Sequence, residues 1–102
     1  MIDTNNFLGK KAIIRGNNSG VQYGTITAID NSIVVLENSR RIWYWSGAAS
    51  LSQMAMEGVK DAKACKFSLV QATPHIITDV IEVLICSPDA INNIEGVPVW
   101  KV

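Results

Sequence analysis

The sequence has few of the features that mark membrane, secreted or metal-binding chains. Its apolar runs are only a few residues long, too short to cross a membrane, and its first twenty residues hold no apolar signal-peptide segment. It contains two cysteines, Cys65 and Cys86, without the spacing of a zinc site. We therefore expect a cytoplasmic protein without a membrane span, in which both cysteines are reduced core residues.

Charge of one sign is not in excess either. Nine lysines and arginines balance nine aspartates and glutamates, and this zero net charge argues against a protein that coats duplex DNA. Residues 1–51 hold five basic side chains, including all three arginines, and three acidic ones, whereas residues 52–102 hold four basic and six acidic ones. This asymmetry favours a compact anionic ligand on the first half, although a merely solubilising surface explains it equally well.

Catalytic motifs are missing as well. The chain has no glycine-rich phosphate loop with a lysine, no serine nucleophile elbow and no metal-ligand spacing. The single histidine, His75, follows a proline in a polar segment, which is typical of a surface histidine. Asp79 and Glu82 lie three apart in a predicted strand, so they point to opposite faces and form no acid–base pair. We predict a protein that is not an enzyme and has no cofactor, catalytic residue or metal site.

What the chain does contain is the alternation typical of β-strands. Apolar residues make up 48% of the 102 residues, so we predict one small core and a single domain spanning residues 1–102. Gly24 interrupts the second strand, which indicates a bulge or the close approach of another backbone or of a ligand. Turns are predicted at 16–20, 30–31 and 38–39. The predicted strands are 10–15, 21–29, 32–37, 40–45, 67–71, 76–86 and 97–100.

Two segments carry helix signals instead. Ser50 and Gln53 form a capping box in front of a helix over 51–57. A serine N-cap and a proline at the first position predict a second helix over 88–95. A helix over 78–84 is the alternative to the sixth strand. The predicted fold class is α+β, mostly β: a small antiparallel meander or open barrel with two short helices.

The segment from Arg40 to Trp45, Arg-Arg-Ile-Trp-Tyr-Trp, is the richest in aromatic side chains. Period-two alternation places Arg41, Trp43 and Trp45 on one face of the strand and the other three residues on the opposite face. Two tryptophans beside an arginine have two interpretations. They fill a core, because tryptophan buries a large area, or they form a platform that stacks on nucleobases beside a phosphate-binding guanidinium.

The loop after the first strand is the second candidate segment. Arg15, the Ser19 hydroxyl and the backbone N–H groups of this glycine-rich and asparagine-rich loop are suited to bind an anion. Tyr23, in the strand that follows, is a candidate for stacking on a base, and Gln22 for hydrogen bonding. A plain hairpin loop explains the same residues.

These segments resemble a family of short proteins found largely in bacteriophages and prophages and catalogued as a domain of unknown function. The resemblance spans residues 10–101 and depends on the stretches at 40–51, 19–24 and 94–101, which contain Arg-Arg-Ile-Trp-Tyr-Trp, Ser-Gly-Val-Gln-Tyr-Gly and Val-Pro-Val-Trp-Lys. Proteins of this size and make-up are similar in kind to phage sponges, which bind host immune nucleotides as homo-oligomers without cleaving them. The resemblance therefore implies an anti-defence protein that evades host immunity.

We therefore expect a phage-encoded, non-catalytic protein that sequesters a cyclic dinucleotide or a related signal in the host cytoplasm, as a homo-oligomer of two or four copies. Arginines would hold phosphate, aromatic rings would stack on the base, and polar side chains would bind the sugar or base edge. The candidate ligand-binding residues are Arg15, Ser19, Gln22, Tyr23, Arg40, Arg41, Trp43 and Trp45. Two other functions stay open: a module that inhibits or recruits a host protein, and a small single-stranded nucleic-acid binder.

Overall fold

The computed structural model describes residues 2–102. In chain order its strands and α-helices are β1 (Lys11–Gly16), β2 (Val21–Asp30), β3 (Ile33–Tyr44), α1 (Leu51–Glu57), β4 (Lys66–Phe67), β5 (His75–Ile77), β6 (Val80–Ile85) and α2 (Pro88–Glu95). Short 3-10 helices occur at Thr4–Phe7 and Ala62–Ala64. None of the helices within the described residues is long and apolar enough to cross a membrane.

The strands form one antiparallel sheet. Its order is β4-β3-β2-β1-β6, and β5 also pairs with β3. The length of β3 allows this, because its first half pairs with β5 and its second half with β4. The predicted class, α+β and mostly β with two short helices, is confirmed.

The predicted turn at residues 38–39 is wrong, because β3 continues through both residues. Asn38 has a φ of 51°, and the register between β2 and β3 shifts at this point, so the irregularity is a bulge within a continuous strand. Gly24 lies opposite the bulge, where a Cβ atom would come within 3.1 Å of the Leu36 Cβ. Gly24, where the sequence predicts a bulge or a close approach, thus lies opposite a bulge in β3 and has Leu36 and Glu37 close to it.

The later extended segments are shorter than predicted. The strand predicted over 76–86 breaks at Asp79, whose carbonyl and carboxylate both bind the loop after β1, so β5 and β6 are separate strands. The alternative helix over part of this segment is also wrong. Where a strand is predicted over 67–71, the structure has β4, which is only two residues long. Where a strand is predicted over 97–100, the chain forms a single parallel bridge, between Val99 and Phe67.

Both helices begin at their predicted caps. The Ser50 Oγ accepts from the Gln53 backbone N–H at 3.1 Å, and the Ser87 Oγ accepts from the Ala90 backbone N–H at 3.1 Å. These bonds satisfy amide groups that a helix leaves free in its first turn. The two helices contact each other and cover one face of the sheet.

The core has two parts, one on each face of the sheet. Beneath the helices lie Ile13, Tyr23, Ile42, Met54, Phe67 and Ile94, with smaller residues around them. On the other face the sheet itself encloses Ala12, Ile14, Ile26, Val34, Leu36 and Ile77. Both cysteines are buried and free, which confirms the prediction of reduced core residues.

Candidate functional site

Arg40 lies in the core, with 2% of its surface exposed. Its guanidinium donates to the carbonyls of Ser68 (2.9 Å), Ile94 (2.8 Å) and Pro98 (3.4 Å) and stacks over the Phe67 ring at 5.4 Å. Burial lowers the pKa of Arg40. This side chain therefore ties the end of α2 and the C-terminal segment to the sheet.

Tyr23 and Arg40 line a polar pocket of about 340 Å³. The Tyr23 hydroxyl donates to the Glu95 Oε2 at 2.6 Å, and the Lys11 Nζ lies 2.7 Å from the same oxygen. Burial, followed by the hydrogen bond to Glu95, raises the pKa of Tyr23 far above its ordinary range. Burial raises the pKa of Glu95, but the hydrogen bonds from Lys11 and Tyr23 outweigh it, so the pKa lies below its ordinary value. The Tyr23 ring is buried, so this pocket offers hydrogen bonds and charge but no stacking surface.

The loop between β1 and β2 binds an anion, and that anion belongs to the chain itself. The Asp79 carboxylate accepts from the backbone N–H groups of Asn18 (2.6 Å) and Ser19 (2.9 Å) and from the Ser19 hydroxyl (2.6 Å). Gly16 makes the approach possible, because a Cβ there would overlap the Ser19 Oγ. The Ser19 hydroxyl and the backbone N–H groups predicted to bind an anion are therefore already satisfied by Asp79.

This contact predicts a pH dependence of stability. The hydrogen bonds from Ser19 and Asn18 hold the pKa of Asp79 below its ordinary value of 3.8. A carboxylate with a depressed pKa stabilises the fold above its unfolded pKa and loses that contribution as the pH falls through the folded value. The Asp79→Asn variant should therefore be less stable than the wild type at pH 6, with a smaller gap at pH 3. Urea unfolding at both pH values measures the gap, and an equal gap at both would contradict the assignment.

Arg15 and Trp45 line a second groove, of about 560 Å³, between β1 and the start of α1. Glu82, opposite Arg15 in the β1–β6 register, also lines it. Trp45 follows the end of β3 and packs partly into the core beneath the helices. Strand alternation ends at Tyr44, and Trp43, Tyr44 and Trp45 together line an open pocket of about 370 Å³.

Arg41, in contrast to Arg40, is exposed. Its Nη1 donates to the Ser19 carbonyl at 2.8 Å, and the Gln22 Nε2 donates to the same carbonyl at 2.8 Å. Gln22 is fully buried and pairs with Arg41 in the β2–β3 register. Its Oε1 has no hydrogen-bond partner among residues 2–102. Gln22 and Ser19 thus position the Arg41 guanidinium at the surface.

Trp43 lies two residues after Arg41, so the two side chains project from the same side of β3. Trp43 is 64% exposed, and its ring centroid lies 5.7 Å from that of Trp100, which is 46% exposed. The Lys66 Nζ lies 5.5 Å from the Trp43 centroid and 5.3 Å from the Trp100 centroid. We call Arg41, Trp43, Lys66 and Trp100 the Trp43 face.

A polar groove of about 270 Å³ adjoins this face at Arg41. The Ser39 Oγ and the His75 Nδ1 are 3.0 Å apart within it. Burial, and then the Arg41 charge, lower the pKa of His75, so the ring is neutral at neutral pH. Ser68 and Gln71 complete the polar lining. The groove presents hydrogen-bonding groups beside the Arg41 guanidinium.

The eight predicted residues do not form one site. Tyr23 and Arg40 lie in the polar pocket, Arg15 and Trp45 in the groove beside α1, and Ser19, Gln22, Arg41 and Trp43 at or beneath the Trp43 face. Sequence reasoning missed Lys66 and Trp100. Lys66 ends a polar segment whose lysines are typical of a solvated surface, and Trp100 is a tryptophan in an extended segment, which does not say what it contacts.

A family model described as a domain of unknown function (DUF6948) matches residues 9–94 of the chain. The match includes Arg41, Trp43 and Lys66 and stops before Trp100. No curated protein matches the chain.

Proposed function

The chain belongs to the DUF6948 family, a domain of unknown function, and we propose that it is a non-catalytic binding protein that sequesters a small nucleotide on the Trp43 face. The ligand class is a cyclic dinucleotide or a related cyclic nucleotide. It combines aromatic bases with phosphodiester charges, and the Trp43 face combines aromatic rings with two cations.

The observation that carries this proposal is the exposure of two adjacent tryptophan rings. Burying a large aromatic side chain is favourable, so two exposed rings in contact mark a surface with a binding role. Lys66 lies over both rings, and such cation–π contacts restrict the ring positions before a ligand arrives. A surface ordered in this way loses less conformational entropy when it binds.

The spacing of the rings decides where a base stacks. A base between two rings needs about 3.5 Å on each side, or roughly 7 Å between ring centroids. The Trp43 and Trp100 centroids are only 5.7 Å apart, so a base stacks on the outer side of Trp43. Arg41, on the same side of the sheet, then holds a phosphate, and the groove lined by Ser39 and Gln71 accepts the sugar or base edge.

The biological part of the proposal follows from the resemblance to phage proteins. A phage-encoded sponge acts in the host cytoplasm and removes an immune nucleotide from solution. It works by binding alone, so the nucleotide leaves the protein unchanged. The proposed protein assembles as a homo-oligomer.

A ligand screen tests the proposal. Purified protein is heated with cyclic di-GMP, cyclic di-AMP, cyclic GMP–AMP, cyclic tri-AMP and a short single-stranded DNA. A ligand at about 100 times its dissociation constant adds about 2.7 kcal/mol, which raises the melting temperature by roughly 10 °C. The nucleotide is then recovered from denatured protein. Recovery of intact cyclic nucleotide is expected, whereas a cleaved product would contradict sequestration.

A protein-interaction module is the second candidate, and exposed tryptophans favour it too, because tryptophan is enriched at interface hot spots. A flat cyclic-nucleotide screen, together with one stoichiometric host protein retained by the wild type and lost with Trp43→Ala, would replace the nucleotide proposal. Affinity for single strands that falls steeply with salt would instead indicate a nucleic-acid binder.

A further inference from the structure

The loop between β1 and β2 has contacts on two sides, and Ser19 takes part in both. On one side, its backbone N–H and its hydroxyl donate to the Asp79 carboxylate at 2.9 and 2.6 Å. On the other side, its carbonyl accepts from the Arg41 Nη1 and the Gln22 Nε2, each at 2.8 Å. Ser19 therefore connects a carboxylate that lies between β5 and β6 to a cation of the Trp43 face.

Asp79 binds three consecutive residues of this loop. Besides Ser19, it binds Asn17, whose N–H donates to the Asp79 carbonyl at 2.8 Å, and Asn18, whose N–H donates to the carboxylate at 2.6 Å. Hydrogen bonds to an ionised group are roughly twice as strong as those between neutral groups. Asp79 thus fixes the backbone of the loop as far as Ser19.

The direction of the Ser19 carbonyl depends on this attachment. A peptide unit is planar, so the carbonyl turns only when the backbone on one side of it turns. The next residue is Gly20, with a φ of 86°, and glycine adopts positive and negative φ values with similar ease. After the carbonyl, a bond from the Gly16 N–H to the Gly20 carbonyl at 2.8 Å closes the loop. Before it, the bonds to Asp79 hold the peptide plane.

We propose that Asp79 is a positioning residue of the Trp43 face, because it orients the Arg41 guanidinium through the Ser19 carbonyl. Arg41 uses an Nη1 hydrogen on that carbonyl, and its remaining N–H groups then point in a fixed direction, since a guanidinium is planar and rigid. A side chain that is ordered before binding loses less conformational entropy when it binds. Asp79 therefore strengthens the contact of Arg41 with an anion that Asp79 itself does not touch.

The part of this inference that concerns phosphate rests on the proposed function, in which Arg41 holds the phosphate of the ligand. Charge alone predicts the opposite effect of Asp79. A carboxylate repels a phosphate, so Asp79→Asn would strengthen phosphate binding if Asp79 acted only through its charge. Weaker phosphate binding in this variant is therefore the mark of positioning.

The order of the three arginine side chains tests the positioning role without any ligand, because each Nε–H group gives its own ¹⁵N NMR signal. Arg40 is buried and its Nε donates to a backbone carbonyl, so it is the ordered reference, and the exposed Arg15 is the mobile one. The heteronuclear NOE of Arg41 should lie near that of Arg40 in the wild type and fall toward that of Arg15 in Asp79→Asn. Asp30→Asn, at the far end of β2, is the matched control and should keep the wild-type value.

Two outcomes of this measurement overturn the proposal. An Arg41 signal as ordered in Asp79→Asn as in the wild type would leave Gln22 as the residue that holds the Ser19 carbonyl. A loss of order that Arg40 shares would mean that the variant loosens the whole fold. Ser19→Ala provides a milder variant, because it removes one bond to Asp79 and keeps the carbonyl. It should lower the NOE of Arg41 less than Asp79→Asn does, with Arg40 unchanged.

Titration with inorganic phosphate, followed at the Arg41 Nε–H signal, connects this order to binding. The dissociation constant should rise about 2- to 12-fold in Asp79→Asn, the range expected for the loss of one hydrogen bond. Asp30→Asn makes the same change in net charge and should bind phosphate at least as tightly as the wild type. Binding in Asp79→Asn as tight as in the wild type would contradict the positioning role. An Arg41 signal that Asp79 orders but phosphate does not shift would contradict the proposed function and support the positioning role.

Discussion

Replacing Arg40 with methionine is expected to lower the free energy of unfolding by about 1–3 kcal/mol, the usual cost of leaving a buried hydrogen-bonding group without its partner. The Arg40 guanidinium supplies donors to three carbonyls, including that of Ile94 in the last turn of α2. Methionine fills much of the volume but donates nothing, so these carbonyls lose their partners. Because small domains have only about 5–15 kcal/mol of stability, the loss is a large fraction of the total.

Urea unfolding of Arg40→Met and of Arg15→Met measures this effect. Arg15 is exposed on β1, so its replacement should change the free energy of unfolding by less than about 0.5 kcal/mol. A similar small change for both variants would mean that Arg40 does not hold α2 and the C-terminal segment to the sheet.

Replacing Trp43 with alanine is expected to weaken cyclic-nucleotide binding about 5- to 150-fold. Loss of one base–aromatic stack costs about 1–3 kcal/mol, and each 1.4 kcal/mol is tenfold in affinity. The fold itself should be little affected, because the Trp43 ring is mostly outside the core. The prediction separates a binding role from a structural one.

Calorimetric titration of Trp43→Ala beside Tyr44→Ala provides the comparison. Tyr44 is the next residue on β3 and is also exposed, but it contributes no ring to the Trp43–Trp100 pair. Its replacement should leave the dissociation constant within about twofold. Equal losses of affinity in both variants would indicate that any change at the end of β3 weakens binding, and not the loss of stacking on Trp43.

The sequence predicted much of the fold because local patterns determine it. Both helices have capping side chains next to their first residues, and the alternation through residues 40–43 correctly puts Arg40 and Arg41 on opposite sides. The turn at 38–39 was wrong because asparagine with positive φ occurs both in turns and in bulges. Only pairing along the whole of β3 distinguishes the two.

The candidate site was harder to predict because its parts are distant in the chain. Asp79 satisfies the loop around Ser19 from about sixty residues away, and no local signal indicates that contact. Trp100 joins Trp43 through the bridge between the C-terminal segment and β4. Which arginine is buried likewise depended on where α2 ends, and strand alternation alone could not decide it.

Tryptophan fluorescence tests the central claim most directly, because the chain has three tryptophans and two of them form the Trp43 face. The cyclic nucleotides of the panel are titrated into the wild type, Trp45→Phe and Trp43→Phe. We expect one of them to quench the emission of the wild type and of Trp45→Phe with the same midpoint, and a much weaker response from Trp43→Phe. Quenching that survives Trp43→Phe and disappears in Trp45→Phe would place the ligand in the groove beside Arg15, and no quenching by any panel nucleotide would contradict a nucleotide site on the Trp43 face.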